Sequence, residues 1–167
     1  MILVTVGSQL PFDRLLHGLD IWCQDHSDER VLAQIADPGP HGYYPEHAEW
    51  ERFLDPEIFD QRFIEARLIV AHAGMGSIIG ALMAAKPIVI MPRRADLGEH
   101  RNDHQLATVE KFRDRPNVYV ADDEQALPST INAALQQDVS NGAKAAPFAD
   151  TRLIEAVREV VLGRPKK

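Results

Sequence analysis

Two glycines and a serine lie at the predicted start of a helix in the segment His72-Ala73-Gly74-Met75-Gly76-Ser77. We expect a strand to end at Ala71 and the helix to start near Ser77. Free amide groups and the positive end of the helix dipole converge at such a point, and together they bind anions. The segment therefore predicts a site for a diphosphate, although it is neither a P-loop nor the G-x-G-x-x-G of dinucleotide folds.

A purely structural interpretation of this segment stays open. Ser77 could serve as an ordinary N-cap, with Gly74 and Gly76 present for close packing. His72, at the end of the strand, could reach a phosphate or only satisfy a backbone carbonyl. The glycines therefore indicate an anion site more strongly than the histidine does.

Polar residues also follow the first predicted strand, in the sequence Gly7-Ser8-Gln9. Glycine lets the backbone approach a ligand closely, and the side chains of Ser8 and Gln9 can hydrogen-bond phosphate or sugar oxygens. A tight turn between a strand and a helix would favour similar residue types. These three residues alone do not separate the two interpretations.

A third polar loop runs from Pro92 to Gln105 and enters a helix near Asn102. Its side chains carry the donors and acceptors that sugar hydroxyls require. The candidate ligand contacts in this loop are Arg93, Asn102, Asp103, His104 and Gln105. His100 and His104 are spaced like zinc ligands on one helical face, but no third ligand is evident, and we predict no metal site. A solvated loop in which Asn102 or Asp103 caps the helix is the alternative.

Apolar runs bounded by Gly, Pro or polar clusters predict the strands that position these loops. The runs lack alternation, as strands buried on both faces of a parallel sheet do. They are Ile2 to Val6, Val31 to Ile35, Leu68 to Ala71, Pro87 to Met91 and Val118 to Val120. Segments of helical period lie between them, so we expect an α/β fold, a Rossmann-like parallel sheet with helices on both faces. The three polar loops then meet at the carboxyl edge of the sheet, where such folds bind ligands.

The length of 167 residues and the hydrophobic content of 45% predict a single domain, 1–167. Within it we expect an irregular loop from Asp37 to His47, a helix from Pro56 to Phe63, and a linker over 138–150 before an amphipathic C-terminal helix. The net charge of −7 argues against nucleic acid as a partner. The single cysteine, Cys23, and the lack of a signal-like or membrane-spanning run lead us to expect a cytoplasmic protein.

Taken together, four segments resemble the C-terminal domain of family 28 glycosyltransferases in their order and spacing. They are Val4 to Gln9, His72 to Ser77, Lys86 to Arg93 and Asn102 to Gln105. The chain is most similar to the stand-alone members of the family. These include the small subunit of the transferase that adds N-acetylglucosamine to the dolichol-linked sugar, and the PssE-type subunits of exopolysaccharide synthesis. The segment from Arg93 to Gln105 is closest to the PssE type.

The resemblance implies the C-terminal half of a GT-B fold, which binds a nucleotide-sugar donor, usually a UDP-sugar. By position, Gly7, Ser8 and Gln9 would line the cleft, His72, Gly74, Gly76 and Ser77 would hold the diphosphate, and Asp103, His104 and Gln105 would contact the donor sugar. Gly80 stands where members of the family commonly carry a glutamate that binds the ribose hydroxyls. Ribose recognition would then pass to another residue, or the nucleotide would differ.

The resemblance also implies an inverting transferase whose second, membrane-associated subunit binds a lipid-linked acceptor. The amides near Gly76 and Ser77 would stabilise the departing diphosphate without a metal or cofactor. Since the acceptor would lie mostly on the partner, we expect the partner to carry the general base, with His72 as a weak local candidate.

Two other functions stay open. One is a non-catalytic nucleotide-sugar-binding or regulatory module, and the other is a GT-B-related UDP-sugar epimerase, which would need several carboxylates in the cleft. In isolation, the chain could also form a homodimer through its docking face.

Overall fold

Six parallel strands form one sheet in the computed structural model, which describes residues 1–136. The strands are β1 (Ile2–Thr5), β2 (Val31–Gln34), β3 (Glu49–Glu51), β4 (Leu68–His72), β5 (Ile88–Met91) and β6 (Val118–Val120). Their order across the sheet is β3-β2-β1-β4-β5-β6. The helices are α1 (Asp13–Gln24), α2 (Pro56–Glu65), α3 (Met75–Met83), α4 (His104–Phe112) and α5 (Leu127–Gln136). The predicted linker over 138–150 and the helix after it lie outside the described residues.

Helices cover both faces of the sheet, as the sequence predicts. Alternate residues of β1 point to opposite faces, so that Ile2 and Val4 join one apolar cluster and Leu3 joins the other. The first cluster includes the buried apolar side chains of α1 and α5, and the second includes those of α3 and α4, with the phenylalanines of α2 packed against it. The predicted α/β class is therefore confirmed.

Two predicted helix starts need correction. Helix α3 begins at Met75 with Gly74 in the N-cap position, so Ser77 lies in the first turn and is not the N-cap. Helix α4 begins at His104, and Asp103 occupies its N-cap position without a side-chain capping bond. Asp103 instead accepts a hydrogen bond from the amide of Ala95, at 2.9 Å, within the preceding loop.

Strand β3 and helix α5 are not predicted from the sequence. All three residues of β3 are exposed, and its sequence Glu-Trp-Glu lacks the apolar run used to find the other strands. It pairs with β2 at the edge of the sheet. Helix α5 packs with the α1 cluster through Leu127, Ile131 and Ala134.

The predicted irregular loop between β2 and β3 is tied to α1 through Asp20. This carboxylate is buried and accepts hydrogen bonds from the hydroxyl of Tyr43, at 2.6 Å, and from the amides of Glu46 and His47, at 2.7 and 3.1 Å. Burial raises the pKa of Tyr43, and the bond to Asp20 raises it further. One acidic side chain thereby replaces regular backbone pairing for this loop.

The substitution Asp20→Ala is expected to lower the free energy of unfolding by about 2 kcal/mol, because three donors lose their common acceptor. Urea denaturation measures this loss. Tyr43→Phe is the matched control, since it removes only one of the three bonds and should cost about 1 kcal/mol. Equal losses for the two variants would contradict a central role for Asp20.

Candidate functional site

A cavity of about 340 Å³ lies at the carboxyl edge of the sheet, beyond the ends of β1, β4 and β5. We call it the histidine cavity, after His72, His100 and His104 in its wall. Ten of the twelve residues predicted to bind the ligand line it: Gly7, Ser8, Gln9, His72, Gly74, Gly76, Ser77, Arg93, His104 and Gln105. Asn102 and Asp103 do not, and their predicted contacts with a donor sugar stay predictions.

The start of α3 offers free amides to this cavity. The amides of Met75, Gly76 and Ser77 have no hydrogen-bond acceptor among residues 1–136, as is normal for a first helical turn. A Cβ atom added to Gly76 would meet nothing within 4 Å, so the space beside its backbone is open. The arrangement suits an anion that approaches the backbone closely.

The ring of His72 is enclosed by two glycines. A Cβ atom at Gly74 would lie 2.3 Å from His72 Nε2, and one at Gly7 would lie 2.9 Å from Cε1, so larger residues would displace the ring. Gly7 also has a φ of +90°, which favours glycine. Both glycines are therefore required by the position of this histidine.

His72 is neutral at ordinary pH. Burial, the largest cause, and the positive charge of Arg93 together lower its pKa to about 4, and the nearby backbone of Thr5 opposes these effects only in part. Its Nδ1 atom is buried without a hydrogen bond of normal geometry among residues 1–136. The neutral imidazole can therefore form a hydrogen bond with a ligand but brings no positive charge of its own.

Arg93 is buried, and its guanidinium donates hydrogen bonds to the backbone of the loop after β1. It donates to the carbonyl oxygens of Val6 and Leu10, at 2.7 and 2.6 Å, and to that of Pro11. The guanidinium carbon lies 4.6 Å from the centre of the Phe12 ring. Burial lowers the pKa of Arg93 to about 10, which leaves it charged at neutral pH. Arg93 thus joins the loop after β1 to the end of β5, and direct contact with the ligand stays a prediction.

A second arginine, Arg14 on α1, holds the outer side of the third loop. It binds both carboxylate oxygens of Glu99, at 2.8 and 2.9 Å, and the carbonyl oxygen of Pro92, at 2.8 Å. Glu99 also accepts the amide of Arg94, at 2.9 Å. This pair is not predicted from the sequence, because the partners stand 85 residues apart and no local pattern joins them.

Gln105 lies at the start of α4, almost fully buried in the wall of the histidine cavity. Its Oε1 atom accepts the amide of Arg93, at 3.0 Å, while its Nε2 atom has no partner among residues 1–136. The rings of His100 and His104 meet edge to face, with centroids 4.5 Å apart. No group of three or more potential metal ligands occurs in the part of the chain that the structure describes.

A second cavity, of about 350 Å³, lies beside the first and was not predicted. We call it the phenylalanine cavity, after Phe59 and Phe63 of α2. It shares Gly7, Ser8, Gly76 and Ser77 with the histidine cavity, and its remaining lining residues are Thr5, Gln34, Phe59, Asp60, Phe63 and Gly80. The two cavities thus meet at the free amides of α3. The residues of α2 carry no motif, which is why the sequence did not reveal them.

Within residues 1–136, every helix is too short or too polar to cross a membrane.

The fold is similar to several solved structures. One is the kitacinnamycin glycotransferase, with 22% identity and a TM-score of 0.60, over 81% of this chain and 34% of that chain. Another is the solution structure of ALG13, with 19% identity and a TM-score of 0.60, over 93% of both chains. At these identities, the likeness shows the fold alone.

A third similar structure is the UDP-GlcNAc 2-epimerase of Methanocaldococcus jannaschii in complex with UDP-GlcNAc and UDP. It has 12% identity and a TM-score of 0.60, over 97% of this chain and 45% of that chain. The present chain therefore spans about a third of the glycotransferase and under half of the epimerase, whereas it matches ALG13 over nearly its whole length. The fold agrees with the predicted C-terminal half of a GT-B protein.

No curated protein sequence matches the chain. The sequence model of the glycosyltransferase family 28 C-terminal domain, however, matches residues 1–161. This range includes all three polar loops and both cavities. Since it covers nearly all of the 167 residues, the chain belongs to the family of glycosyltransferase family 28 C-terminal domains.

Proposed function

We propose that this protein is the donor-binding subunit of a two-component inverting glycosyltransferase, which transfers a sugar from a nucleotide sugar to a lipid-linked acceptor. The observation that carries the proposal is the meeting of two cavities at the free N-terminal amides of α3. A nucleotide sugar has a matching shape, since a sugar and a nucleoside extend from opposite ends of one diphosphate. The diphosphate would lie at Gly76 and Ser77, which line both cavities.

The chemistry of the two walls assigns the two arms of the donor. The histidine cavity offers imidazoles and the free amide group of Gln105, which suit sugar hydroxyls and phosphate oxygens. The phenylalanine cavity has two aromatic side chains, which suit a nucleobase or the apolar face of a ribose. We therefore assign the sugar to the first cavity and the nucleoside to the second, with UDP as the expected nucleotide.

The same arrangement would stabilise the leaving group of the transfer without a bound metal. When the bond between the anomeric carbon and the diphosphate breaks, negative charge grows on the departing phosphate. Amides already aimed at that position, together with the dipole of α3, would stabilise the charge without reorganising. His72 would add a hydrogen bond, because its neutral ring lines the same cavity.

The general base for the acceptor hydroxyl is expected on the partner subunit. A base with a pKa near 4, as His72 has, is mostly free to accept a proton at neutral pH but is too weak to hold one well. No carboxylate lines the histidine cavity within residues 1–136. This also disfavours the epimerase alternative, which would need acid and base groups around the sugar.

The biological setting is proposed from resemblance. The segment from Arg93 to Gln105 resembles the PssE-type subunits, so we propose a role in exopolysaccharide or glycolipid synthesis. The protein would then work in the cytoplasm, held at the membrane by its acceptor-binding partner. A non-catalytic binding module is the alternative, and a transfer assay separates the two.

Calorimetric titration with UDP-glucose, UDP-glucuronate, UDP-N-acetylglucosamine and GDP-mannose tests donor binding. Ser77→Ala should weaken the binding of the preferred donor about tenfold, which corresponds to the loss of one hydrogen bond to a charged group. Gln105→Glu should weaken it at least as much, because it retains the oxygen that accepts the Arg93 amide but replaces the free amide group with a negative charge.

The matched control is Asp96→Asn, which breaks an exposed ion pair with Arg94 in the same loop. It should bind the donor like the wild type, since exposed pairs contribute little. The proposal fails if the wild type binds none of the four donors, either alone or with membranes that supply the partner.

Partner dependence is tested by transfer of labelled sugar. The purified chain should transfer sugar to lipid when mixed with membranes from source cells that lack this chain, because those membranes provide both partner and acceptor. With donor and extracted lipid alone, transfer should be negligible. Equal transfer in both mixtures would place the base on this chain, and no transfer in either would favour the binding module.

Donor binding is also expected to change the ionisation of His72. In the free protein its pKa is about 4, and a diphosphate nearby should raise the pKa, since an anion favours the charged imidazolium. The complex then holds more protons than the free protein, so donor affinity should rise as the pH falls from about 6.5 towards 4. Nuclear magnetic resonance titration of the ring signals measures the pKa of His72 in the free protein and in the donor complex.

The variant His72→Gln should remove this pH dependence of binding. The ring of His17 is an internal control, because it packs against Tyr43 and lines neither cavity. An unchanged His72 pKa on saturation with donor would show that the diphosphate does not lie beside this ring.

A further inference from the structure

One acidic side chain stands out in the walls of the two cavities. Asp60, on α2, is the only carboxylate that lines either of them within residues 1–136. Its side chain is exposed and has no hydrogen bond or ion pair with another side chain in that part of the protein, so the carboxylate is free to bind a ligand. We propose that Asp60 binds the ribose hydroxyls of the donor and makes the protein select ribonucleotides over deoxyribonucleotides.

The position of Asp60 restricts what the carboxylate can bind. Its cavity shares Gly76 and Ser77 with the cavity next door, so it adjoins the amides of α3 to which we assign the diphosphate. A carboxylate would repel phosphate oxygens, and it can only accept hydrogen bonds. It therefore needs a ligand group that donates hydrogen bonds, which in a nucleoside is an N–H of the base or a hydroxyl of the ribose. Ribose offers two adjacent hydroxyls, which match the two oxygens of one carboxylate.

Among the residues around this cavity, those of α2 are best placed to bind the ribose hydroxyls. Gly80 of α3 lines the same cavity but has no side chain, and a Cβ atom there would already lie 3.3 Å from the ring of Phe63. The polar side chains from the sheet are Thr5 and Gln34. The hydroxyl of Thr5 accepts the amide of Gly7, at 3.2 Å, and the Oε1 atom of Gln34 accepts the amide of Leu54, at 3.0 Å. Asp60 and Phe63 are three residues apart and thus share one face of α2.

This geometry predicts that different residues of α2 contact the apolar and the polar parts of the nucleoside. The aromatic rings of Phe59 and Phe63, with centroids 5.9 Å apart, provide the apolar surface, and Asp60 provides the polar contact beside it. Apolar contacts with a ring system discriminate weakly among nucleosides. A carboxylate that accepts from both ribose hydroxyls discriminates more, because removing one hydroxyl takes away a hydrogen bond to a charged group.

The inference rests on the proposed function, and the probes are UDP and GDP with their 2′-deoxy forms. Isothermal titration calorimetry gives the ratio of the dissociation constants of the deoxy and ribo forms. We expect the wild type to bind the ribo form at least about tenfold more tightly than the deoxy form, as a hydrogen bond to a charged group implies. Asp60→Asn should weaken UDP or GDP binding and bring the ratio close to one.

Glu57→Gln is the matched control, because it removes one charge from an exposed position of the same helix that lines neither cavity. Its ratio should equal that of the wild type. A merely structural role of Asp60 would change affinity for both forms alike and leave the ratio unchanged, and this result would overturn the inference.

The outcomes also separate the two proposals. If the wild type binds the ribo and deoxy forms equally, the inference fails while the proposed function stands. If the wild type binds no nucleoside diphosphate and no nucleotide sugar, alone or with membranes that supply the partner, the proposed function fails and the inference fails with it. A preference that persists in Asp60→Asn would assign ribose selection to another group.

Discussion

The guanidinium of Arg93 joins the two loops on which the rest of the site depends. It donates to carbonyl oxygens between Val6 and Pro11 while its own backbone lies at the end of β5. A buried cation is costly unless its donors are paired, so this stretch of backbone must keep the shape that supplies the carbonyls. One wall of both cavities, from Gly7 to Ser8, takes its position from that requirement.

Arg14 completes the arrangement from the outer side. Through Glu99 and the carbonyl of Pro92, it fixes the polar loop that leads to α4, and Gln105 closes the loop onto the amide of Arg93. The site is therefore shaped before any ligand is present. Such preorganisation reduces the conformational entropy that binding would otherwise cost. The same arrangement accounts for the polar side chains of the third loop that bind backbone amides of that loop.

The sequence predicts most of the sheet because its strands are buried on both faces and hence continuously apolar. Strand β3 is not predicted in this way, since it is an exposed edge strand that pairs only with β2. In the site, the glycines and Gln105 follow from local pattern and resemblance. The roles of Arg93 and Arg14 do not, because a cation's partners are set by tertiary packing. The second cavity was missed for the same reason, as α2 reaches it only through the fold.

The wall shared by the two cavities has a further consequence. At its centre, Gly76 offers only backbone amide to a ligand, and the neighbouring Ser77 adds one hydroxyl. The side chains that differ between the cavities lie on separate helices and loops. Under the proposed assignment of the donor, substitutions in α2 would change recognition of the nucleoside and substitutions near α4 would change recognition of the sugar, without moving the amides between them. A fold with this layout can evolve two specificities independently.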